Sequence, residues 1–130
     1  MIVDTSALIA ILVGEPAART FARALAESEV KISAATLVEA RAVVTSKLGP
    51  THLRQLDALL RETQVLVVPF DEQQAAVAGD AYRDFGRGSG HPARLNLGDC
   101  FSYALAATTG EPLLFKGRDF NHTDLRSAVT

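Results

Sequence analysis

The sequence predicts an α/β fold whose central sheet is short and mostly parallel. Short apolar runs, several of them rich in β-branched residues, alternate along the chain with longer segments of helical period. Alternation of this kind favours helices packed on a parallel sheet. In such sheets functional sites collect at the carboxyl ends of the strands, so polar residues that follow the apolar runs are the first candidates for a site.

The chain begins with a predicted strand and a predicted helix. Met1–Val3 is a short apolar run that is typical of a strand. Thr5–Val13 has helical period, and the hydroxyl of Thr5 or Ser6 is available to cap its amino end. Gly14 then ends this helix.

Three helices and one strand are predicted over the next fifty residues or so. Pro16–Ser28 is a predicted helix with Pro16 in its first turn, where the missing N–H of proline does no harm. Val30–Ser33 is a second short strand, and Ala34–Leu48 is a helix that ends at a Gly-Pro pair. Thr51–Thr63 is amphipathic, with four leucines on one stripe.

The rest of the chain repeats the same alternation of strands and helices. A β-branched run closed by proline and a later apolar run predict two further strands, Val65–Val68 and Leu113–Phe115. Helices are predicted over Glu72–Phe85 and Leu97–Thr109, and a short edge strand is expected over Thr123–Val129. Three glycines and a proline interrupt the periodic sequence at residues 86–93, which makes this the segment we expect to be most flexible.

Composition excludes several classes of protein. The chain of 130 residues contains 13 Lys and Arg against 15 Asp and Glu, so it is not a polybasic nucleic-acid binder. One cysteine excludes an internal disulfide framework and a cysteine-rich metal site. No apolar run is long enough for a membrane span, and no basic leader precedes the first apolar stretch. We therefore expect a single domain over residues 1–130, located in the cytoplasm.

Two acidic residues in the first third of the chain are candidates for a site. Asp4 directly follows the first strand, where it either caps the next helix or belongs to a site. Glu39 lies in an apolar helical segment and has Ala35 and Val43 four residues away, so it has no ion-pair partner at helical spacing. Thr36 is the one polar residue on its side. Glu39 is either a solvent-facing residue or a carboxylate that water or a ligand stabilises.

Two more acidic residues come late in the chain. Asp99 lies near the start of an apolar helix, where a cap at Asn96 would place it in the first turn, and Gly98 beside it would allow a ligand or another backbone to approach. Asp119 follows the last predicted strand, in a position that also suits a turn. Asp124 follows five residues later.

The four acids together indicate a metal site. An α/β sheet can bring all four to one edge, where the clustered carboxylates would repel one another and raise one another's pKa. A divalent cation removes that penalty, and ligation by oxygen alone suits Mg²⁺ or Mn²⁺ better than zinc. Such an ion can polarise a phosphodiester and activate water.

The residues around these acids resemble the motifs of the PIN-domain ribonucleases, and specifically of the VapC toxins of toxin–antitoxin pairs. The matching segments are MIVDTSAL, SAATLVEA, LNLGDCFSYALA and LLFKGRDFNHTDL, and their order and spacing extend the resemblance over essentially the whole chain. The resemblance implies an α/β/α sandwich with a parallel central sheet. It also implies an endoribonuclease that depends on Mg²⁺ or Mn²⁺ and acts on structured RNA such as tRNA or rRNA.

The resemblance assigns roles to particular residues. The catalytic and metal-binding acids that it implies are Asp4, Glu39, Asp99 and Asp119. Thr5 or Ser6 would supply a nearby hydroxyl, and Asp124 matches an acid of auxiliary role. We expect one metal ion to be held by Asp4, Asp99 and Glu39, while Asp119 orients a second ion or the attacking water.

The resemblance also implies partners. A VapB-type antitoxin would block the site with its carboxyl-terminal tail and would bind operator DNA with its amino-terminal part. The toxin would form a homodimer, and a heterotetramer or larger assembly with the antitoxin. No contact with a membrane is expected.

RNA must approach an acidic site, so basic residues near it are of interest. Lys116 and Arg118 flank Asp119, and Arg87 and Arg94 flank the glycine-rich segment. We expect some of these four to bind phosphates, although ordinary solvated charges would look the same in the sequence.

Two rival functions fit parts of the sequence. A module that binds RNA or an antitoxin without catalysis needs the same fold. A magnesium-dependent phosphatase that forms an aspartyl-phosphate also places an aspartate after an apolar strand. Such an enzyme usually has a second acid two residues later, where this chain has Ser6.

Overall fold

Four parallel strands form the centre of the computed structural model, which describes residues 1–129. The strands are β1 (Ile2–Val3), β2 (Lys31–Ser33), β3 (Leu66–Val68) and β4 (Leu113–Leu114). The helices are α1 (Thr5–Val13), α2 (Ala18–Glu27), α3 (Ala34–Lys47), α4 (Pro50–Glu62), α5 (Glu72–Phe85) and α6 (Leu97–Thr109). The strand order is β3-β2-β1-β4, and a short 3₁₀ turn occupies Asp119–His122. The predicted α/β class with a parallel sheet is confirmed.

Helices pack on both faces of the sheet. Neighbouring residues of each strand point to opposite faces, so each strand contributes side chains to both layers of helices. In β1, Ile2 belongs to an apolar cluster that includes residues of α5 and α6, whereas Val3 belongs to a cluster with residues of α1 to α4. In β4, Leu113 and Leu114 divide between the same two clusters, and the register pairs them with Ile2 and Val3. The short buried strands β1 and β4 therefore contribute side chains to both apolar clusters of the core.

Side-chain caps fix where the helices that frame the site begin. The Asp4 carboxylate accepts from the backbone N–H of Ser6 at 3.0 Å and caps α1. Of the two caps that the sequence allows, Asp4 is confirmed, and the hydroxyl of Thr5 or Ser6 is not the cap. Ser33 caps α3. Asn96 caps α6 and forms a reciprocal capping box with Asp99, as the sequence suggests.

Two predicted elements differ from the structure by more than one residue at an end. The second helix begins at Ala18 rather than Pro16, because residues 15–17 form a turn in which the N–H of Ala18 bonds to the carbonyl of Glu15. The expected edge strand near the carboxyl end is reduced to one isolated bridge between Leu113 and Ser127. Within residues 1–129, no helix is both long and apolar enough to span a bilayer.

Truncation of a buried strand residue tests the division of the core. We expect Leu114→Ala to lower the free energy of unfolding by about 2–5 kcal/mol, because Leu114 is fully buried and its loss leaves a cavity. Leu66→Ala, on the exposed edge strand β3, should cost less than about 1 kcal/mol. Urea unfolding followed by circular dichroism measures both values, and equal losses would contradict the core described above.

Candidate active site

A buried carboxylate lies at the carboxyl end of β1. Asp4 is only 3% exposed, and its backbone N–H bonds to the carbonyl of Leu114 at 3.0 Å, which ties it to the neighbouring strand. Its Oδ2 accepts from the N–H of Ser6, and its Oδ1 accepts from the hydroxyl of Ser102 at 2.5 Å. Burial raises the pKa of Asp4, and these hydrogen bonds offset part of that effect.

Glu39 reaches the same region from α3. Its Oε1 accepts from the hydroxyl of Thr5 at 2.6 Å, and the carboxylate lies directly against Gly98 at the start of α6. A Cβ placed on Gly98 would lie 1.3 Å from Oε2 of Glu39. The glycine therefore admits another side chain rather than a ligand or a backbone. Burial, together with the charge of Asp4, raises the pKa of Glu39 despite the Thr5 hydrogen bond.

Asp99 connects the four acids electrostatically. It lies in the first turn of α6, where its Oδ2 accepts from the N–H of Asn96 at 3.0 Å. Burial, and to a smaller extent the charges of the other three acids, raise the pKa of Asp99 to about 7, although the hydrogen bond from Asn96 opposes this shift. Those acids are Asp4, Glu39 and Asp119. The structure therefore brings the four predicted acids close enough to influence one another.

Asp119 and Asp124 occupy different positions. Asp119 is exposed at the start of the 3₁₀ turn, so it lies at the rim of the cluster. The loop before it is tied to the site because Ser6 Oγ accepts from the N–H of Lys116 at 2.9 Å. Asp124 instead accepts from the hydroxyl of Tyr103 at 2.7 Å, and its charge is not among those that raise the pKa of Asp99.

No ion pair neutralises the cluster within residues 1–129. Within the part of the chain that the structure describes, none of the four acids forms a salt bridge; the ion pairs lie elsewhere. Hydroxyl and backbone donors hold the carboxylates in place but bring no positive charge. A hard divalent cation fits this set of oxygen donors. Residues 1–129 contain no three His, Cys, Asp or Glu side chains grouped tightly enough to enclose an ion, so water or a side-chain movement would complete the coordination.

Sequence reasoning missed two residues of the site. Ser102 is fully buried on α6, and its hydroxyl bonds to both Asp4 and Thr36 of α3. Thr36 was noted only as the polar neighbour of Glu39. Their spacing in the sequence could have indicated them, because each of these hydroxyls lies three residues from a candidate acid and so on the same face of its helix.

The four basic residues that the sequence suggests for phosphate binding are all exposed. Lys116 forms an ion pair with Glu15, whereas Arg87, Arg94 and Arg118 form no salt bridge within residues 1–129. The glycine-rich segment is closed at its base, since the N–H of Arg87 bonds to the carbonyl of Leu95 at 3.0 Å.

Comparison with known proteins identifies the class of this fold and site. A family model described as the PIN domain matches residues 1–125, and the chain belongs to this family. Its relatives within the family are VapC ribonucleases. Ribonuclease VapC42 of Mycobacterium tuberculosis is 53% identical over 131 residues, covering 100% of both chains. Ribonuclease VapC of Mycolicibacterium smegmatis is 47% identical and covers 96% of this chain and 97% of its own. The resemblance noted from the motifs is confirmed.

Solved structures support the fold. The crystal structure of VapC20 of Mycobacterium tuberculosis, described as a sarcin-ricin loop cleaving toxin, superposes with a TM-score of 0.73 over 95% of each chain at 20% identity. A toxin–antitoxin complex from Klebsiella pneumoniae gives a TM-score of 0.67 at 19% identity, covering 92% of this chain and 88% of that one.

Substitution of Gly98 tests the placement of Glu39. We expect Mn²⁺ to stabilise the wild-type protein. We expect Gly98→Ala to leave the protein folded, because the flexible end of Glu39 can move, but to weaken this stabilisation. Gly79→Ala on α5 is the matched control, since a Cβ there meets nothing within 4 Å and alanine gains about 0.5–1 kcal/mol over glycine in a helix. Thermal unfolding with and without MnCl₂ measures both effects. An equal Mn²⁺ shift in wild type and Gly98→Ala would contradict this placement.

Neutralisation of Asp99 tests the cost of an ionised carboxylate at this position, which comes first from burial and then from the charges of the other acids. In EDTA near neutral pH, we expect Asp99→Asn to raise the free energy of unfolding by about 1–2 kcal/mol, a figure reduced for solvent screening. The amide oxygen of asparagine can still accept the capping bond. Folding raises the pKa of Asp99 from 3.8 to about 7, so the penalty of the wild type is absent at low pH and complete above pH 7. The gain should therefore be larger near pH 8 than near pH 5, and denaturant unfolding at the two pH values checks this. A gain that is absent at both pH values would contradict the raised pKa of Asp99.

Proposed function

We propose that this protein is the toxin of a type II toxin–antitoxin pair and acts in the cytoplasm as a divalent-metal-dependent endoribonuclease. The observation that carries the proposal is that Asp4, Glu39 and Asp99 meet where β1, α3 and α6 come together, with no salt bridge to any of them within residues 1–129. The charges of Asp4, Glu39 and Asp119 contribute to the raised pKa of Asp99. Full-length relatives at 53% identity that are named ribonucleases support it. The chemistry is hydrolysis of phosphodiester bonds in structured RNA such as tRNA or rRNA.

The donor set favours Mg²⁺ or Mn²⁺ as the cofactor. Asp4, Glu39 and Asp99 would hold the ion, directly or through water, and all three offer carboxylate oxygens that hydroxyl or backbone donors already orient. When bound, the ion would polarise the phosphate and lower the pKa of a coordinated water.

The chain's own residues prepare the site for this reaction. Thr5 fixes one oxygen of Glu39, and the capping box fixes Asp99, so little reorganisation is needed when substrate arrives. Asp119 is exposed at the rim, where it can accept a proton from the attacking water or orient a second ion. Water attack on phosphorus leaves a 5′-phosphate and a 3′-hydroxyl. Asp124, which accepts a hydrogen bond from Tyr103, would have an auxiliary role.

RNA binding needs positive charge around an acidic centre. We assign this role first to Arg87, Arg94 and Arg118, because they are exposed and have no ion-pair partner within residues 1–129. Lys116 can join them only by leaving Glu15. Contacts of this kind release counterions, so RNA affinity should fall with salt.

The proposed partners follow the family. A VapB-type antitoxin would cover the acidic site, and operator DNA would be bound only through the antitoxin. The toxin would act as a homodimer and would form a heterotetramer or larger complex when neutralised. A solved structure of similar fold is a toxin–antitoxin complex, which supports this pairing.

Cleavage of total cellular RNA by the purified, antitoxin-free protein tests the proposed activity. We expect discrete cuts with Mg²⁺ or Mn²⁺ and none with EDTA. Asp4→Asn and Asp99→Asn should each reduce the rate by about a hundredfold or more, because each removes a charge that would hold the ion. Asp80→Asn is the matched control, since Asp80 is an exposed acid of α5 that pairs with Arg83. Sequencing of the product ends locates the cuts.

The same experiment separates the rival functions. RNA binding without metal-dependent cleavage would replace the nuclease with a binding module. Products ending in a 2′,3′-cyclic phosphate would mean that the ribose hydroxyl attacks instead of water. The phosphatase alternative gains no support, because Asp4 is buried with both oxygens hydrogen-bonded and Ser6 stands where a second acid is needed.

A further inference from the structure

Two helices, α3 and α6, each present one carboxylate and one hydroxyl to the site. On α3, Thr36 lies three residues before Glu39, and on α6, Ser102 lies three residues after Asp99. Residues at this spacing share a helix face, so each helix contributes one acid and one hydroxyl to the same region. The two hydroxyls meet, with 3.2 Å between Oγ1 of Thr36 and Oγ of Ser102.

The hydrogen bonds between these groups have a fixed direction. Ser102 has one hydroxyl proton, and it donates this proton to Oδ1 of Asp4 at 2.5 Å, a distance typical of a charge-assisted bond. Thr36 must therefore donate to Ser102. The result is a series of two hydrogen bonds, from Thr36 to Ser102 and from Ser102 to Asp4, in which the first bond strengthens the second. Thr36 and Ser102 are fully buried, so water does not replace either donor.

Neither hydroxyl bonds to a backbone carbonyl of its own helix, within the described residues. The usual partner of a serine or threonine inside a helix is the carbonyl four residues earlier. Thr108 and Thr109, on the same helix as Ser102, follow that rule and bond to the carbonyls of Ala104 and Leu105. Thr36 and Ser102 bond only to each other and to Asp4.

We propose that Thr36 and Ser102 are positioning residues that orient the Asp4 carboxylate toward a divalent cation, with Thr36 acting through Ser102. The inference rests on the proposed function. Ser102 holds Oδ1 of Asp4 and the N–H of Ser6 holds Oδ2, so the plane of the carboxylate is fixed from both ends. Each carboxylate oxygen can accept about two hydrogen bonds or metal contacts, so an oxygen that keeps its donor can still contact a cation.

Titration with Mn²⁺, followed by the electron paramagnetic resonance signal of the free ion, measures the effect without any RNA. We expect Ser102→Ala to weaken Mn²⁺ binding by about tenfold or more, the range found when partners of metal ligands are removed. Thr36→Val keeps the shape of the side chain but removes the donor, and should weaken binding less. The double variant should bind no more weakly than Ser102→Ala, because Thr36 has no route to Asp4 once Ser102 is lost.

Controls separate the outcomes of this titration. Thr108→Val removes a hydroxyl from the same helix and should leave Mn²⁺ affinity unchanged. Wild type that does not bind Mn²⁺ would overturn the proposed function itself, whereas wild-type binding with unchanged affinity in Ser102→Ala would overturn only the positioning role. Independent, additive losses from Thr36→Val and Ser102→Ala would contradict the connection through Ser102. If Ser102→Ala fails to fold, as judged by circular dichroism, Thr36→Val decides alone, and unchanged affinity there refutes the proposal.

Discussion

The buried carboxylate of Asp4 is the constraint on which the rest of the site depends. It lies at the end of the central strand β1, and its contacts reach three other elements. Its backbone N–H bonds to β4, its side chain caps α1, and Ser102 of α6 donates to it. A buried carboxylate that loses such donors carries a large desolvation cost, so these elements must assemble together around it. The same contacts that stabilise the fold therefore position the first ligand of the proposed metal centre.

The remaining acids are oriented without being neutralised. Thr5 donates to Glu39, and the capping box holds Asp99, yet none of the four acids has a basic partner within residues 1–129. The protein thus keeps repulsion in the metal-free state that a salt bridge would remove. Such a conflict between stability and function is common at catalytic sites, and here the charge that destabilises the cluster is the charge that would bind the proposed cation.

Local sequence patterns predicted most of the fold. The bounds of α5 and α6 match the prediction because strong caps and glycines mark their ends, and α1 matches for the same reason. The start of α2 was misplaced because a proline suits a turn as well as a first helical turn. The expected edge strand near the carboxyl end shortened to a bridge, since its length depends on pairing with distant Leu113.

The sequence predicts the candidate acids because charged residues after apolar runs are unusual. It does not predict which residues hydrogen-bond to these acids or pack against them. The Ser102 contact with Asp4 spans 98 positions in the chain, and the contact between Glu39 and Gly98 joins two helices. The three-residue spacing from an acid places each hydroxyl on the same helix face as that acid, but it does not show whether the hydroxyl bonds to its own helix or to another element. Which hydroxyls belong to the site is therefore decided by tertiary packing.

The most direct test of the account is a crystal structure with Mn²⁺, in which the anomalous signal locates the ion. The central claim is that the acids of β1, α3 and α6 form one metal centre. The account predicts an anomalous peak among the carboxylates of Asp4, Glu39 and Asp99, with Ser102 still bonded to Asp4. A fully loaded crystal with its Mn²⁺ bound elsewhere, and no peak at these carboxylates, would contradict it.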